Sequence, residues 1–255
     1  MESPDKSLIT IENISRTFPN GKKALDKISI QIQQGEFVVI AGPNGSGKSV
    51  LMSLIAGLDE PTTGRITVPQ NSVGLVFQNA DSQILGETPE EDIAFGLRNK
   101  GIRKQQIPEI TKQVLLKTGL YEKRRFPARE MSGGEKRRLA VAGILALNRS
   151  IIIFDEPFAN LDYPGIRQVC NIVLELKKEG KTVIILTHEL EKILALADRF
   201  IILAQGEIKF NGSAQEGLKQ NLEAFGIRHP LACYSKVTDL FWGNTENSTG
   251  AQNEI

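Results

Sequence analysis

Residues 42–49 read GPNGSGKS, and this octet constrains the fold of the chain more than any other feature. It follows an apolar run at 37–41 and precedes an apolar helical pattern at 51–56, giving the order strand, glycine-rich loop, helix. Gly42, Gly45 and Gly47 permit backbone conformations that aim consecutive N–H groups at one anion, with Asn44 and Ser46 between them. A helix beginning near Lys48 adds its partially positive N-terminus. Lys48 is placed to reach β- and γ-phosphates, and the Ser49 hydroxyl to meet Mg²⁺. A turn that merely links strand to helix explains the glycines but not the Lys-Ser pair.

A loop of this kind belongs on an α/β core. Apolar runs at 73–77, 151–154, 183–186 and 201–203, with helical stretches between the later ones, predict a buried, mainly parallel sheet. The alternating segments 8–11 and 28–32 predict an antiparallel layer near the N-terminus. The stretch from about 88 to 148 is nearly all helical in pattern, with candidates at 90–98, 107–118 and 135–147, and reads as an inserted subdomain. IIIFDEP at 151–157 puts Asp155 and Glu156 at the C-terminal edge of a buried strand, where open α/β sheets bind ligands. Asp155 suits the Mg²⁺ shell, and Glu156 is placed to polarise a water attacking the γ-phosphate. An Asp-Glu-Pro turn capping the next helix is the blander alternative.

Composition narrows the class. The 255 residues are 40% hydrophobic, enough for one large core, and a formal net charge of +1 leaves no nucleic-acid footprint. No apolar run approaches the ~18 residues of a membrane span, so any membrane role passes through a partner. Cys170 and Cys233 share no metal-ligand spacing, which fits a reducing cytoplasm, and Cys170 falls on an apolar helix face with Ile166, Val169 and Val173.

The segment MSGGEKRRLAVAG at 131–143 resembles the signature motif of ABC ATPases, and residues 8–212 follow that family's order of motifs. Ser132, Gly133 and Gly134 precede a helix and offer a second anion site; an ordinary N-cap explains Ser132 but not the glycine pair. The resemblance implies the ABC ATPase fold, MgATP as ligand, and a head-to-tail dimer in which each ATP lies between one subunit's loop 42–49 and the other's signature. It also implies roles for Gln78 at the metal and water shell, His188 at the γ-phosphate, Asn160, Leu161 and Asp162 at the dimer interface, and Phe18 against adenine. Asp162 capping the following helix, and Phe18 serving as core, are the plain alternatives. Val50 stands where relatives carry a second hydroxyl, which removes one α-phosphate contact.

VFQNADSQILGETPEEDIAFG at 76–96, with its second glutamine Gln83, is similar to the matching segment of energy-coupling factor transporters; AGILAL at 142–147 and FPNGKKALDKISIQIQQGE at 18–36 are similar to the same group. The resemblance implies an ATPase subunit paired with a copy or a paralogue and held at the cytoplasmic face of the membrane by a transmembrane coupling protein and a substrate-binding membrane protein, for uptake of a vitamin or transition-metal ion. Glu90, Glu91 and Asp92 then form a docking surface for the coupling protein, or simply complement a helix dipole. Another ABC importer or exporter, or a soluble ABC ATPase acting on ribosomes or DNA, are the rival readings. The expected organisation is an ATP-binding domain over 1–212 with the helical insert at about 88–148, a helical appendage over 213–242, and a disordered tail at 243–255. The appendage either joins two ATPase subunits or packs on its own domain.

Overall fold

The computed structural model describes residues 7–232 and 234–237; Cys233 and the expected tail at 243–255 lie outside them. The described residues begin with β1 (Ser7–Thr17) and β2 (Lys23–Gln33), an antiparallel hairpin that β4 (Thr63–Thr67) extends into a sheet of order β2-β1-β4. Between them come β3 (Phe37–Ala41) and α1 (Lys48–Ile55). A second sheet has the order β5-β6-β7-β3-β8-β9, built from β3 with β5 (Val73–Val76), β6 (Ile151–Asp155), β7 (Thr182–Leu186), β8 (Arg199–Ala204) and β9 (Glu207–Gly212). All its pairings are parallel except β8 with β9.

The continuous apolar runs have a direct cause, because both faces of the central strands are buried. Phe37, Val39, Phe154, Val183, Ile185 and Phe200 face a core shared with α5 (Tyr163–Lys178). Val38, Ile40, Ile153, Ile184 and Ile201 face a second core, closed by α1 and the antiparallel sheet. Each such side chain contributes about 1.5–3 kcal/mol of burial, so a polar residue at either parity is costly.

Three helices make the insert: α2 (Pro89–Asn99), α3 (Ile107–Lys117) and α4 (Gly133–Ala146). They enclose their own core of Ile93, Leu97, Leu115, Leu139 and Ala142. However, α4 also sends Val141 and Ile144 into the sheet's core, so it belongs to both bodies. The strand β4 is almost wholly exposed and β9 alternates exposed with half-buried residues, so neither carries an apolar run. The helix expected between β7 and β8 is instead a pair of 3-10 turns, Leu190–Lys192 and Leu194–Leu196. Ile193, at φ −142°, breaks them apart, and Leu190, Ile193 and Leu194 enter the core. After β9 the described residues hold only the four-residue α6 (Ala214–Gly217) and the 3-10 turn Glu223–Phe225. Leu222 and Ile227 are buried in the sheet's core, so at least this stretch packs on its own chain. Cys170 sits half-buried against the same core, where burial raises its thiol pKa.

Candidate active site

Parallel pairing brings four strand ends to one edge of the sheet. Ile40 and Asp155 are both in register with Leu186, so loop 42–49, the Asp155-Glu156 pair and His188 leave the sheet at nearly the same level. The β5 strand, next to β6, delivers Gln78 to that edge. The strand order turns at β3, which is where such sheets open a crevice.

Loop 42–49 is held by different constraints at different glycines. Gly45 and Gly47 have φ of +80° and +106°, in the left-handed region. Gly42 does not; there a Cβ would lie 2.1 Å from the Leu203 carbonyl oxygen, so the requirement is close approach. Gly47 stands at the N-cap position of α1 and makes no side-chain cap, leaving the first N–H groups of the helix directed at the cleft. Lys48, only 6% exposed, donates to the carbonyls of Gly42 at 2.7 Å and Pro43 at 3.2 Å, and its Nζ lies 3.8 Å from Glu156 Oε1. Burial lowers its pKa, against the pull of Glu156 and Asp155.

Ser49 Oγ donates to Asp155 Oδ2 at 3.0 Å. Burial raises the pKa of Asp155, and the neighbouring charge of Glu156 adds to this, while the Ser49 hydrogen bond, Lys48 and Arg137 oppose it. Glu156 itself is 5% exposed, with φ +46°, a strained position for a residue with a Cβ. Its N–H donates to the Leu186 carbonyl at 2.8 Å, which ties the turn to β7. Its Oε1 lies 3.0 Å from His188 Nδ1, and the His188 N–H approaches Oε2 at 3.4 Å.

A cleft of about 180 Å³ is lined by Phe18, Lys22, Ala24, Asn44, Gly45, Gly47, Lys48, Ser49, Val50, Gln78, Asp155 and Glu156. Phe18 sits at the turn between β1 and β2 with the Arg16 guanidinium 5.5 Å from its ring. Ser46 does not line this cleft; its buried hydroxyl has no hydrogen-bond partner among the described residues. Lys22 and Ala24 were not singled out by sequence; they arrive because the hairpin folds over the loop.

Ser132, Gly133 and Gly134 do not line this cleft. Ser132 closes a capping box with Glu135, its Oγ accepting from the Glu135 N–H at 3.3 Å while Glu135 Oε2 accepts from the Ser132 N–H at 2.9 Å. A Cβ at Gly133 would meet nothing within 4 Å, and one at Gly134 would make ordinary contact with the Leu161 side chain at 3.5 Å and Arg138 Nη1 at 3.8 Å. The chain's own packing therefore asks for neither glycine. Asp162 does cap α5, accepting from the Gly165 N–H at 2.9 Å.

The acidic triplet separates into three roles. Asp92 Oδ1 accepts from the N–H groups of Leu85 at 2.7 Å and Gly86 at 3.0 Å, fastening the loop before α2. Glu90 pairs with Arg125 at 3.7 Å, and Glu91 is exposed. A larger cleft of about 630 Å³ lies beside them, between α2, α3 and residues 121–125. It contains Glu90 but none of the groups at the sheet edge.

Comparison with known proteins agrees with this geometry. Residues 25–159 match the ABC transporter family. The chain is 37% identical over 225 residues to EcfA1, an energy-coupling factor transporter ATP-binding protein of Mycoplasmoides gallisepticum, covering 84% of this chain and 80% of that protein. It is 36% identical over 244 residues to EcfA1 of Streptococcus pneumoniae, covering 89% and 88%. CbiO1 of Clostridium perfringens, part of the ABC transporter complex CbiONQ, superimposes with a TM-score of 0.76 at 29% identity, over 85% of this chain and 92% of that one. A dimeric ATP-binding cassette in a post-hydrolysis state bound to ADP and Pi gives 0.74 at 27% identity, over 81% and 98%.

Proposed function

Because this chain belongs to the ABC transporter ATP-binding family, whose members bind and hydrolyse ATP, we propose that it drives an energy-coupling factor importer for a vitamin or a transition-metal ion. The observation that carries the catalytic part is the cluster at one sheet edge, where Lys48 lies 3.8 Å from Glu156, Glu156 lies 3.0 Å from His188, and Ser49 is bonded to Asp155. The N–H groups of loop 42–49 and Lys48 bind the phosphate chain, Lys48 exchanging its carbonyl partners for β- and γ-phosphate oxygens. The side of Phe18 completes the nucleotide's seat, Ser46 contributes its backbone N–H with the rest of the loop, and Val50 contributes only van der Waals contact.

Water attacks the γ-phosphorus, the bond to the β–γ bridging oxygen breaks, and ADP leaves. The Glu156 carboxylate accepts the water's proton and passes it to the released phosphate. His188 holds that carboxylate and approaches the γ-phosphate, while Gln78, on the cleft wall, orients the water. Ser49, Asp155 and Gln78 form an oxygen-only donor set with one buried carboxylate, which suits Mg²⁺; bound there, the ion would neutralise charge on the β- and γ-phosphates.

The exposed Ser132 and Gly133 and the half-buried Gly134 at the start of α4 complete the site of a second ATPase subunit, either another copy of this chain or a paralogue. That reading is supported by the two glycines that nothing inside the chain requires. Among the described residues no helix is long and apolar enough to cross a membrane, so attachment to the cytoplasmic face runs through the coupling protein. Its cytoplasmic helices dock on the insert beside Glu91. Expression with the native membrane partners tests this. Glu91→Lys is expected to remove co-purification of the coupling protein and substrate uptake together, because like charges across an interface cost several kcal/mol, while ATP hydrolysis by the isolated subunit stays unchanged. Normal assembly and uptake in this variant reject the docking surface. Co-purification of wild type with ribosomes or DNA alone rejects the transporter reading.

A further inference from the structure

The helix α4 carries Lys136 and Arg137 one turn beyond its cap. Lys136 faces outward to Asp81 at 2.6 Å. Arg137 turns inward and is 3% exposed. Its Nη1 donates to the Phe77 carbonyl at 3.1 Å, and its Nη2 donates to the Gln78 carbonyl at 2.6 Å and, more weakly, to the Ala159 carbonyl at 3.5 Å. These two consecutive side chains of one helix therefore hold the segment around Gln78 from both sides.

A buried guanidinium is expensive unless its donors are used. Among the described residues no carboxylate lies within ion-pair distance of Arg137; its partners are carbonyls, and Asp155 and Glu156 act on it through space against the effect of burial. A Met or Leu would fill the same volume without that cost. What a hydrocarbon could not do is join three chain segments. The planar fork fixes the direction of each bond, so the carbonyls of Phe77, Gln78 and Ala159 share one rigid reference on α4.

We propose that Arg137 is a positioning residue that sets Gln78 relative to Asp155 and Glu156 and makes that setting follow the placement of α4. The proposal rests on the reading of Gln78 as a residue of the hydrolytic site. It has a consequence for the shared dimer: α4 begins at Ser132, so whatever engages the signature end of this helix is felt at Gln78 of the same chain through a path of six residues and one side chain.

The experiment compares wild type, Arg137→Gln, Arg137→Lys, Gln78→Ala and the double variant Arg137→Gln with Gln78→Ala, measuring kcat, KM for ATP and thermal melting. Arg137→Gln is expected to lose about tenfold or more in kcat with KM within about twofold of wild type. Arg137→Lys, which keeps the charge and reaches one or two carbonyls, is expected to recover part of the rate. The double variant is expected to be no slower than Gln78→Ala, because both changes remove the same function. Wild-type kcat in a folded Arg137→Gln protein overturns the proposal, as does multiplication of the two losses in the double variant. If Arg137→Gln does not fold, Arg137→Lys combined with Gln78→Ala gives the same two outcomes. Full activity of Gln78→Ala rejects the assignment of Gln78 and this proposal with it; a slow Gln78→Ala beside a fast Arg137→Gln rejects the proposal alone.

Discussion

Replacing Glu156 by Gln isolates one atom's worth of chemistry. The amide has the shape of the carboxylate and its oxygen still accepts from His188, 3.0 Å away, but it has no basic site to receive a proton. General-base assistance is worth roughly 10²–10⁴ in rate, which corresponds to about 2.7–5.4 kcal/mol of barrier at 1.36 kcal/mol per decade. The effect on folding is expected to be much smaller, because two terms oppose. Losing the negative charge removes the contact 3.8 Å from Lys48, yet Lys48 keeps the carbonyls of Gly42 and Pro43. It also relieves Asp155, whose pKa burial raises and the charge of Glu156 raises further. The net change in stability is expected within about 1 kcal/mol. Purified variant and wild type are compared by phosphate release, equilibrium ATP binding and thermal melting. The expected result is a steep loss of kcat with near-normal melting and retained ATP affinity, and an ATP-bound dimer that persists. Near wild-type turnover would refute Glu156 as the base; a collapse of melting temperature would show that the charge is structural.

Two further outcomes are expected. Lys48→Ala removes a charge-assisted phosphate contact worth about 1.5–3 kcal/mol, so ATP affinity should fall about 10- to 150-fold; an unchanged Kd in a binding titration refutes that contact. Glu135→Gln breaks the ion pair with Lys123, at most about 1 kcal/mol, while the amide oxygen still accepts from the Ser132 N–H and keeps the capping box. Lys123 chiefly, with the Ser132 backbone, holds the Glu135 pKa below the usual glutamate value. The wild-type advantage is therefore present above that value and disappears as pH falls through the depressed one. Melting curves of the two proteins should stay separated from neutral pH down to mildly acidic pH and converge only below the usual glutamate range; a gap that persists at the lowest pH contradicts the assignment.

What could be read from sequence depended on whether burial left a one-dimensional trace. The strands β3, β6 and β7 are apolar at both parities because both faces are covered, and they stand out as runs; β4 and β9 lie at sheet edges with exposed faces and leave no such run. The place of loop 42–49 between β3 and α1 was legible because three glycines and a Lys-Ser pair stand at fixed spacing between two apolar runs. Arg137 was not, since within MSGGEKRRLAVAG it looks like one of three consecutive surface cations, and only the double packing of α4 turns it inward. Likewise Asp92 looked like a dipole-compensating acid of α2. Its bonds to Leu85 and Gly86 depend on how the preceding loop folds back. The helical appendage over 213–242 was expected from the family resemblance and not from any helical period, and among the described residues only α6 and one 3-10 turn form there, with Leu222 and Ile227 drawn into the sheet's core.

The most direct test of a shared ATP site uses two crippled subunits. Lys48→Ala removes the phosphate-facing charge of one half-site, and Ser132→Arg blocks the other, so each variant alone should hydrolyse almost no ATP. In a two-fold dimer a mixed pair contains one site with both defects and one site with neither. Equal mixing makes about half of the dimers mixed, so ATPase activity should return to at most about a quarter of wild type. Recovery that appears only on mixing is the predicted result. Mixtures that remain inactive, beside wild-type protein that turns over under the same conditions, would contradict a site built from two copies of this chain.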